Sequence, residues 1–229
     1  MDIPVVRNVL DANNAVAEKN RALFDAHGVF VLNMMSAPGS GKTEILVKSL
    51  GRLLPELRCS VIVGDISTTN DAERLLATGA AAVQINTDAF GSECHIGAHV
   101  IEKALESIPL AETDLLIIEN IGNLVCPAEF DLGEDTRVVV ISVTEGEDKP
   151  LKYPLMFRES EAAIYNKIDL LPHLDYDMEV ALANINSINP AMPVFGLSAR
   201  TEDGFHPWLE WVKTKVSIKQ ERSMMRESL

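Results

Sequence analysis

One octapeptide restricts the fold of this 229-residue chain more than any other feature. It reads Ser36-Ala-Pro-Gly-Ser-Gly-Lys-Thr43 and departs from the common phosphate-loop pattern only by Ser in place of Gly at its first position. Glycines at this place let successive backbone N–H groups surround a phosphate, and a following helix adds the positive end of its dipole. The octapeptide therefore predicts a phosphate-binding loop. The alternative is a glycine-rich turn between a strand and a helix.

The residues around the octapeptide favour phosphate binding. The preceding run, 29–35, is apolar and typical of a strand buried on both faces, and leucines at helical spacing follow Thr43. We expect Lys42 to bridge the β- and γ-phosphates of a nucleotide and the Thr43 hydroxyl to ligate Mg²⁺. The residues predicted to line the phosphate site are Pro38, Gly39, Ser40, Gly41, Lys42, Thr43 and Glu44.

Beyond the octapeptide, short apolar runs alternate with amphipathic segments. This alternation predicts an α/β, P-loop NTPase fold with a mostly parallel sheet covered by helices on both faces, and a ligand beyond the carboxyl ends of the strands. We expect a single domain over 1–229, with a helical segment over 1–28 and a loosely attached tail over 218–229. Further strands are predicted at 61–63, 82–85, 115–118, 138–143, 162–165 and 194–197, and helices at 8–27, 71–77, 95–107, 178–188 and 205–216.

The charge of the chain excludes some classes of partner. Lys and Arg total 20 against 34 Asp and Glu, a net charge of −14, which argues against nucleic acid and against an anionic membrane surface. A hydrophobic content of 47% is enough for a real core. No apolar run approaches the roughly 18–20 residues of a membrane helix, and the first residues lack a signal-peptide pattern. We expect a soluble cytoplasmic protein.

A second motif predicts the base of the nucleotide. Asn166-Lys167-Ile168-Asp169 follows a predicted strand, and a carboxylate at Asp169 can accept from both N1–H and the exocyclic N–H of guanine. Adenine would leave that carboxylate unpaired, at a cost of about 1–3 kcal/mol. Lys167 would lie over the base, and the backbone of Ser198-Ala199-Arg200 would meet guanine O6. The alternative for the motif alone is a strand end that runs into a helix cap.

Two acidic strand ends are candidate sensors of the nucleotide state. Asp65 ends one predicted strand and could hold a Mg²⁺-bound water or orient the attacking water; a solvated loop cap is the alternative. Glu119 and Gly122 fit a strand followed by acid-x-x-Gly, in which the glycine N–H contacts the γ-phosphate and is released after hydrolysis. Glu119 would serve Mg²⁺ through a water. The predicted catalytic residues are Lys42, Asp65 and Glu119.

Two of the three cysteines are candidate metal ligands. Cys94 and His95 begin a predicted helix, whose N-terminus would favour the thiolate, and Cys126 lies four residues beyond Gly122. Two thiolates and an imidazole suit Zn²⁺, or Ni²⁺ with a further donor, and His99 could be that donor. A second chain could also complete the set. The alternative is that these cysteines are buried, as we expect for Cys59.

These motifs together resemble the hydrogenase nickel-incorporation GTPase (HypB) family over nearly the whole chain. The resemblance implies a GTPase domain that delivers nickel during [NiFe]-hydrogenase maturation, as a GTP-dependent homodimer with a Ni/Zn site of Cys94, His95 and Cys126 at its interface. It also implies that Lys149 reaches the partner's nucleotide site, and that other hydrogenase maturation factors and the hydrogenase large subunit are partners. The matching strings are the octapeptide, Gly64-Asp65, Thr68-Thr69-Asn70-Asp71-Ala72, Cys94-His95, Glu119-Asn120-Ile121-Gly122-Asn123-Leu124-Val125-Cys126-Pro127, Thr144-Glu145-Gly146-Glu147-Asp148-Lys149-Pro150 and Asn166-Lys167-Ile168-Asp169.

The chain departs from this family at two places. It starts at the first helical segment, without the His-rich segment of many relatives, so we do not expect nickel storage. Ile96-Gly97-Ala98 stands where an acidic residue is expected after Cys94-His95. The cofactors implied are GTP/GDP, Mg²⁺ and either Ni²⁺ or Zn²⁺. Three alternatives remain open: a GTP-dependent switch with structural cysteines, a metallochaperone for urease or a cobalamin enzyme, and a P-loop small-molecule kinase.

Overall fold

One parallel sheet organises the part of the chain that the computed structural model describes, residues 4–65, 70–86 and 95–227. Side chains are described over the same ranges except at 4–9, 65, 70–72, 86 and 227. Seven strands of these ranges lie in the order β3-β2-β4-β1-β5-β6-β7, with all neighbours parallel. They are β1 Phe30–Ser36, β2 Cys59–Asp65, β3 Ala81–Asn86, β4 Leu115–Gly122, β5 Thr136–Ser142, β6 Ala162–Asn166 and β7 Val194–Gly196.

Helices connect the strands and cover both faces of the sheet, as the sequence predicts. Buried side chains of α2, α3 and α8 pack on one face, and those of α1, α4, α6 and α7 pack on the other. No helix in the described ranges is long and apolar enough to span a bilayer. The helices are α1 Pro4–His27, α2 Lys42–Leu53, α3 Asn70–Leu76, α4 Ala98–Leu105, α5 Lys149–Lys152, α6 Pro154–Arg158, α7 Met178–Ile188 and α8 Phe205–Glu227.

The central strand β1 places the octapeptide at the carboxyl edge of the sheet. All seven residues of β1 are buried, because strands lie on both sides and helices on both faces. The pairing of β1 with β4 shifts near this edge: Met34 pairs with Glu119, but Ser36 pairs with Gly122, so β4 carries one extra residue. Bulges of this kind re-aim side chains and are frequent beside functional sites.

The helix α4 begins later than the sequence predicts. Its first residue is Ala98 instead of His95, because Gly97 has extended backbone (φ −91°, ψ 155°) and ends the loop. The Ala98 N–H donates to Asn13 Oδ1 of α1 at 2.9 Å. The start of α4 is therefore set by a side chain 85 residues away in the chain.

The expectation of a loosely attached tail over 218–229 does not hold for residues 218–227, which the structure describes. Helix α8 runs on to Glu227, and residues beyond Ile218 contact the rest of the molecule. Lys219 pairs with Asp25 of α1 and with Asp135, and Gln220 donates to Asp114. The segment reads as a tail in sequence because it is polar and its partners lie far away along the chain.

Candidate functional site

The octapeptide forms a loop that lines a pocket of about 400 Å³. Gly39 and Gly41 have positive φ, +74° and +95°, and a Cβ on Gly41 would lie 2.4 Å from Asn166 Nδ2. Lys42 opens α2, and its Nζ donates to Ser36 Oγ at 2.7 Å. Serine at the first motif position therefore contacts the motif lysine. We call this cavity, which is lined by 38–44 and 119–122 together with Val63, Gly64 and Arg74, the loop pocket.

The end of β4 contacts the loop at two places. Thr43 Oγ1 donates to Glu119 Oε1 at 2.7 Å, and Glu119 is buried. Gly122 lies against Pro38, so that a Cβ on Gly122 would be 3.0 Å from Pro38 Cα. The structure thus brings these predicted residues together on one wall of the loop pocket. Asp65 is the last residue of β2, at the same edge of the sheet, but its side chain lies outside the described residues.

The second motif lines an adjoining pocket of about 470 Å³, which we call the outer pocket. Asn166 Nδ2 donates to Ser40 O at 2.8 Å, while its Oδ1 accepts from the backbone N–H of Ala199 at 3.1 Å. Asp169 Oδ1 accepts from Ser198 Oγ at 2.6 Å. Gly41 and Glu44 line both pockets, so the two cavities form one continuous groove. The residues that line the outer pocket are Gly41, Glu44, Lys48, Asn166, Lys167, Asp169, Leu170, Ala199 and Arg200.

Lys167 connects the two pockets. Its backbone has φ +65°, a left-handed conformation that is uncommon for a residue with a side chain. Its Nζ donates to Gly39 O at 2.9 Å. The long side chain therefore lies along the boundary between the octapeptide and the outer pocket.

Sequence reasoning missed two basic residues of the groove. Arg74 lines the loop pocket and pairs with Glu44, and Lys48 lines the outer pocket and pairs with Glu202. Neither belongs to a motif, and each reaches the groove from a helix, Arg74 from α3 and Lys48 from α2. No local signal in the sequence distinguishes them from other helical cations.

Lys149 lines neither pocket within one chain. Its Nζ lies 3.6 Å from Glu145 Oε2 and 5.4 Å from the centre of the Tyr153 ring. Burial raises the pKa of Glu145, and the nearby Lys149 partly opposes that effect. In the single chain, Lys149 is therefore held by a neighbouring carboxyl group.

Two of the three candidate metal ligands fall within the described residues. Cys126 begins a short 3-10 turn, Cys126–Ala128, just after β4, and the His95 ring stacks on Phe130 with centroids 3.7 Å apart. Cys94 lies outside the described residues. His99 is exposed on α4. Within the described ranges, no three His, Cys, Asp or Glu side chains are grouped so as to hold an ion.

Helix α4 begins at Ala98, four residues after Cys94 in the chain, and Cys94 itself lies outside the described residues. Burial raises the pKa of Cys59 to about 12, which leaves that thiol inert. Ile96, next to His95, packs on Gly64, where an added Cβ would meet the Ile96 side chain at 2.5 Å. The described segment 95–97, which leads into α4, therefore contacts β2 close to its carboxyl end.

Comparison with known proteins identifies the family. The model for the CobW/HypB/UreG nucleotide-binding domain matches residues 30–196. Hydrogenase maturation factor HypB of Escherichia coli K12 is 50% identical over 208 residues, covering 91% of this chain and 71% of that protein. The chain belongs to the HypB family. The probable HypB of Methanocaldococcus jannaschii is 41% identical, over 93% of this chain and 96% of that protein.

Solved HypB structures have the same fold. The crystal structure from Archaeoglobus fulgidus has a TM-score of 0.84 at 37% identity, covering 90% of this chain and all of that one. HypB from Helicobacter pylori in complex with nickel has a TM-score of 0.85 at 34% identity, covering 91% and 97%. A signal recognition particle protein from Aeropyrum pernix, 15% identical with a TM-score of 0.56, shares the fold alone. The family resemblance and the P-loop fold predicted from the sequence are both confirmed.

Proposed function

We propose that this HypB-family chain is a GTP-hydrolysing metallochaperone that binds nickel and delivers it for [NiFe]-hydrogenase maturation. One observation carries the proposal: β4 contacts the phosphate loop through Gly122, and Cys126 begins the next turn. A backbone shift at the nucleotide would therefore be felt four residues later by a candidate metal ligand. The similarity to HypB from Helicobacter pylori, solved with nickel, supports nickel as the cargo.

The loop pocket fits the phosphates of a nucleotide and a magnesium ion. Thr43 and Glu119 place a hydroxyl and a carboxylate oxygen 2.7 Å apart, and hard oxygen donors of this kind suit Mg²⁺. Asp65, at the end of β2, would complete the set. Mg²⁺ would neutralise charge on the β- and γ-phosphates. Lys42 would leave Ser36 to contact those phosphates, and Gly122 N–H would sense the γ-phosphate.

We expect slow intrinsic hydrolysis. Among the described residues of the loop pocket there is no glutamine to position water. Arg74 lines the pocket, but it pairs with Glu44. Lys149 from a second chain, or a partner protein, would supply the missing stabilisation of the transition state.

The outer pocket suits guanine. Ser198 holds Asp169 by one oxygen, and a carboxylate can still accept two N–H groups from the base. The Ala199 N–H already donates to Asn166, and the backbone of Ser198-Ala199-Arg200 would meet guanine O6. Lys167 would cover the base.

The metal would be bound by thiolate and imidazole groups. The His95 ring stacks on Phe130, four residues after Cys126, and Cys94 precedes His95 directly in the sequence. Such ligands suit Ni²⁺ and Zn²⁺. Three ligands per chain favour a homodimer whose two clusters meet, closed by GTP and opened after hydrolysis. Other hydrogenase maturation factors and the hydrogenase large subunit would then receive the nickel.

A metal titration tests the proposal. The purified chain and its Cys126→Ser variant would be titrated with Ni²⁺ and with Zn²⁺, in GDP and in a non-hydrolysable GTP analogue, with mass measured alongside. We expect the nucleotide to change metal affinity and mass in the parent, and Cys126→Ser to weaken binding by more than about tenfold.

Cys59→Ala is the matched control, because Cys59 is buried away from the groove and should leave metal affinity unchanged. Equal affinities of Cys126→Ser and the parent would reject the metal role of Cys126. A parent that retains neither ion would favour the GTP-dependent switch instead.

A further inference from the structure

A row of buried polar side chains crosses the sheet next to the candidate metal ligands. Asn120 Nδ2 of β4 donates to Asn33 Oδ1 of β1 at 3.1 Å. Asn33 Nδ2 in turn donates to Glu134 Oε1 at 3.1 Å. Asn33 has no exposed surface, Asn120 has 1% and Glu134 has 7%. The side-chain amide of Asn33 thus links β4 to the segment that precedes β5 through the interior of the protein.

The row continues to the segment that follows Cys126. Arg137 Nε donates to Glu134 Oε1 at 2.5 Å, and the two terminal nitrogens of Arg137 donate to Ala128 O at 2.9 Å and Phe130 O at 3.3 Å. Ala128 ends the turn that Cys126 begins. Phe130 carries the stacked ring of His95. The guanidinium therefore holds the 126–130 segment at two carbonyl groups.

The other end of the row lies at the nucleotide groove. Asn120 belongs to the lining of the loop pocket and follows Glu119, which contacts Thr43 on the opposite face of the sheet. Its Oδ1 accepts from the Ile121 N–H at 2.9 Å, where β4 carries its extra residue. Because neighbouring side chains of a strand alternate between faces, a movement of this bulge would displace Glu119 on one face and Asn120 on the other.

Stability alone does not account for the row. Buried polar groups need their partners, whereas apolar side chains of similar volume in the same place are often neutral or stabilising. Most other buried residues of this face of the sheet are apolar, such as Val31 and Ile118. A row of this kind specifies one arrangement of the groups that it joins.

We propose that Asn33, Glu134 and Arg137 are positioning residues that couple the nucleotide-dependent position of the β4 bulge to the 126–130 segment, and so to metal affinity. This inference rests on the proposed function. When the bulge shifts, Asn120 changes its bond to Asn33. The carboxylate of Glu134 and the two carbonyl bonds of Arg137 then adjust together.

The test compares metal affinity in two nucleotide states. Ni²⁺ and Zn²⁺ dissociation constants would be measured for the parent, Asn33→Leu and Arg137→Lys, each in GDP and in a non-hydrolysable GTP analogue. Asn33→Leu keeps the volume and removes both bonds of the amide. Arg137→Lys keeps the charge beside Glu134, but one ammonium cannot hold the carboxylate and both carbonyls in the same way. We expect both variants to reduce the ratio of the two affinities by about threefold or more.

Ser49→Ala is the matched control for lost stability. The Ser49 hydroxyl is buried on the other face and accepts from Trp208 Nε1 at 3.0 Å. It should lower the free energy of unfolding and leave the affinity ratio at the parent value. If the Asn33→Leu variant does not fold, the affinity ratio of the Arg137→Lys variant decides the test.

The outcomes separate this inference from the proposed function. A parent whose metal affinity does not depend on the nucleotide overturns both. A parent that shows the dependence, with Asn33→Leu and Arg137→Lys variants that keep its full ratio, overturns the positioning row alone. A reduced ratio in those variants, with guanine nucleotide affinity unchanged and Ser49→Ala unaffected, supports the row.

Discussion

A single amide side chain holds the nucleotide groove together. Asn166 donates to Ser40 O of the octapeptide and accepts from the backbone N–H groups of Lys167 and Ala199. Its contacts leave no space for a Cβ at Gly41. The first residue of the second motif therefore acts within the protein, by joining the loop pocket to the outer pocket. In the proposed function, Asp169 is the residue of this motif that would bind the guanine base.

Asp169→Asn should reduce the preference for guanine. An amide can still accept from Ser198 Oγ, so the loop should keep its shape, but it cannot accept both N–H groups of the base. We expect a loss of about 1–3 kcal/mol, or about 5- to 150-fold, in GDP affinity, with little change for ADP. Competition binding with GDP and ADP measures it.

The exposed Asp175→Asn is the control, since it lies in the same loop region without lining either pocket. Unchanged GDP affinity in the Asp169→Asn variant would show that Asp169 does not bind the guanine base.

At the scale of elements, one carboxylate joins the starts of two strands. Asp114 precedes β4, and Arg58 precedes β2. Asp114 accepts from the Arg58 backbone N–H at 2.8 Å, from its side chain at 3.0 and 2.6 Å, and from Gln220 of α8 at 3.1 Å. The hydrogen bonds from Arg58 hold the pKa of Asp114 below its usual value, although burial opposes them.

Asp114→Asn should therefore destabilise the protein in a pH-dependent way. A carboxyl group with a lowered folded pKa contributes stability above its unfolded pKa, near 3.8, and this contribution is lost as the pH falls through the folded value. We expect the variant to lose about 1 kcal/mol at pH 7, because Arg58 is largely exposed, and to approach the parent in strong acid. Urea unfolding across this pH range measures the difference.

Asp148→Asn is the control for an exposed ion pair, since Asp148 and Lys152 are both more than half exposed. A difference between the parent and Asp114→Asn that stays constant down to strong acid would contradict the assignment.

At the scale of the whole molecule, ion pairs connect α1 and α8, the two longest helices in the described part of the chain. Lys219 of α8 pairs with Asp25 of α1 and with Asp135 at the start of β5, and Arg226 pairs with Asp25 as well. The Lys219 side chain is only 10% exposed. The last turns of α8 therefore cover the amino edge of the sheet, which is the edge opposite the nucleotide groove.

Lys219→Met should weaken the attachment of α8 to α1 and to the start of β5. Methionine keeps the apolar stem but leaves two partly buried carboxylates near each other without their shared cation. We expect the free energy of unfolding to fall by about 1–3 kcal/mol, measured by urea denaturation. Lys152→Met, which breaks an exposed pair with Asp148, should leave the free energy of unfolding close to that of the parent. Equal losses in both variants would show that burial of Lys219 does not matter.

Much of the fold and of the candidate site could be predicted because the signals are local. The octapeptide, the apolar runs and the second motif are short strings whose spacing determines strands, a loop and a parallel sheet. Lys42, Asn166 and Asp169 were expected at one groove, and all three line it in the structure. The metal ligands remain a prediction, since Cys94 lies outside the described residues.

What the tertiary structure alone decided depends on residues far apart in the chain. The start of α4 is set by Asn13, the end of α8 by Asp25 and Asp135, and the bond between Asn33 and Asn120 spans 87 residues. A polar residue within an apolar run looks the same in sequence whether it is buried with a partner or exposed to water. The amino-acid sequence by itself determined the elements and the chemistry at the strand ends. Only folding chose the partners, because the desolvation of a polar group is offset by whichever group the packing brings beside it.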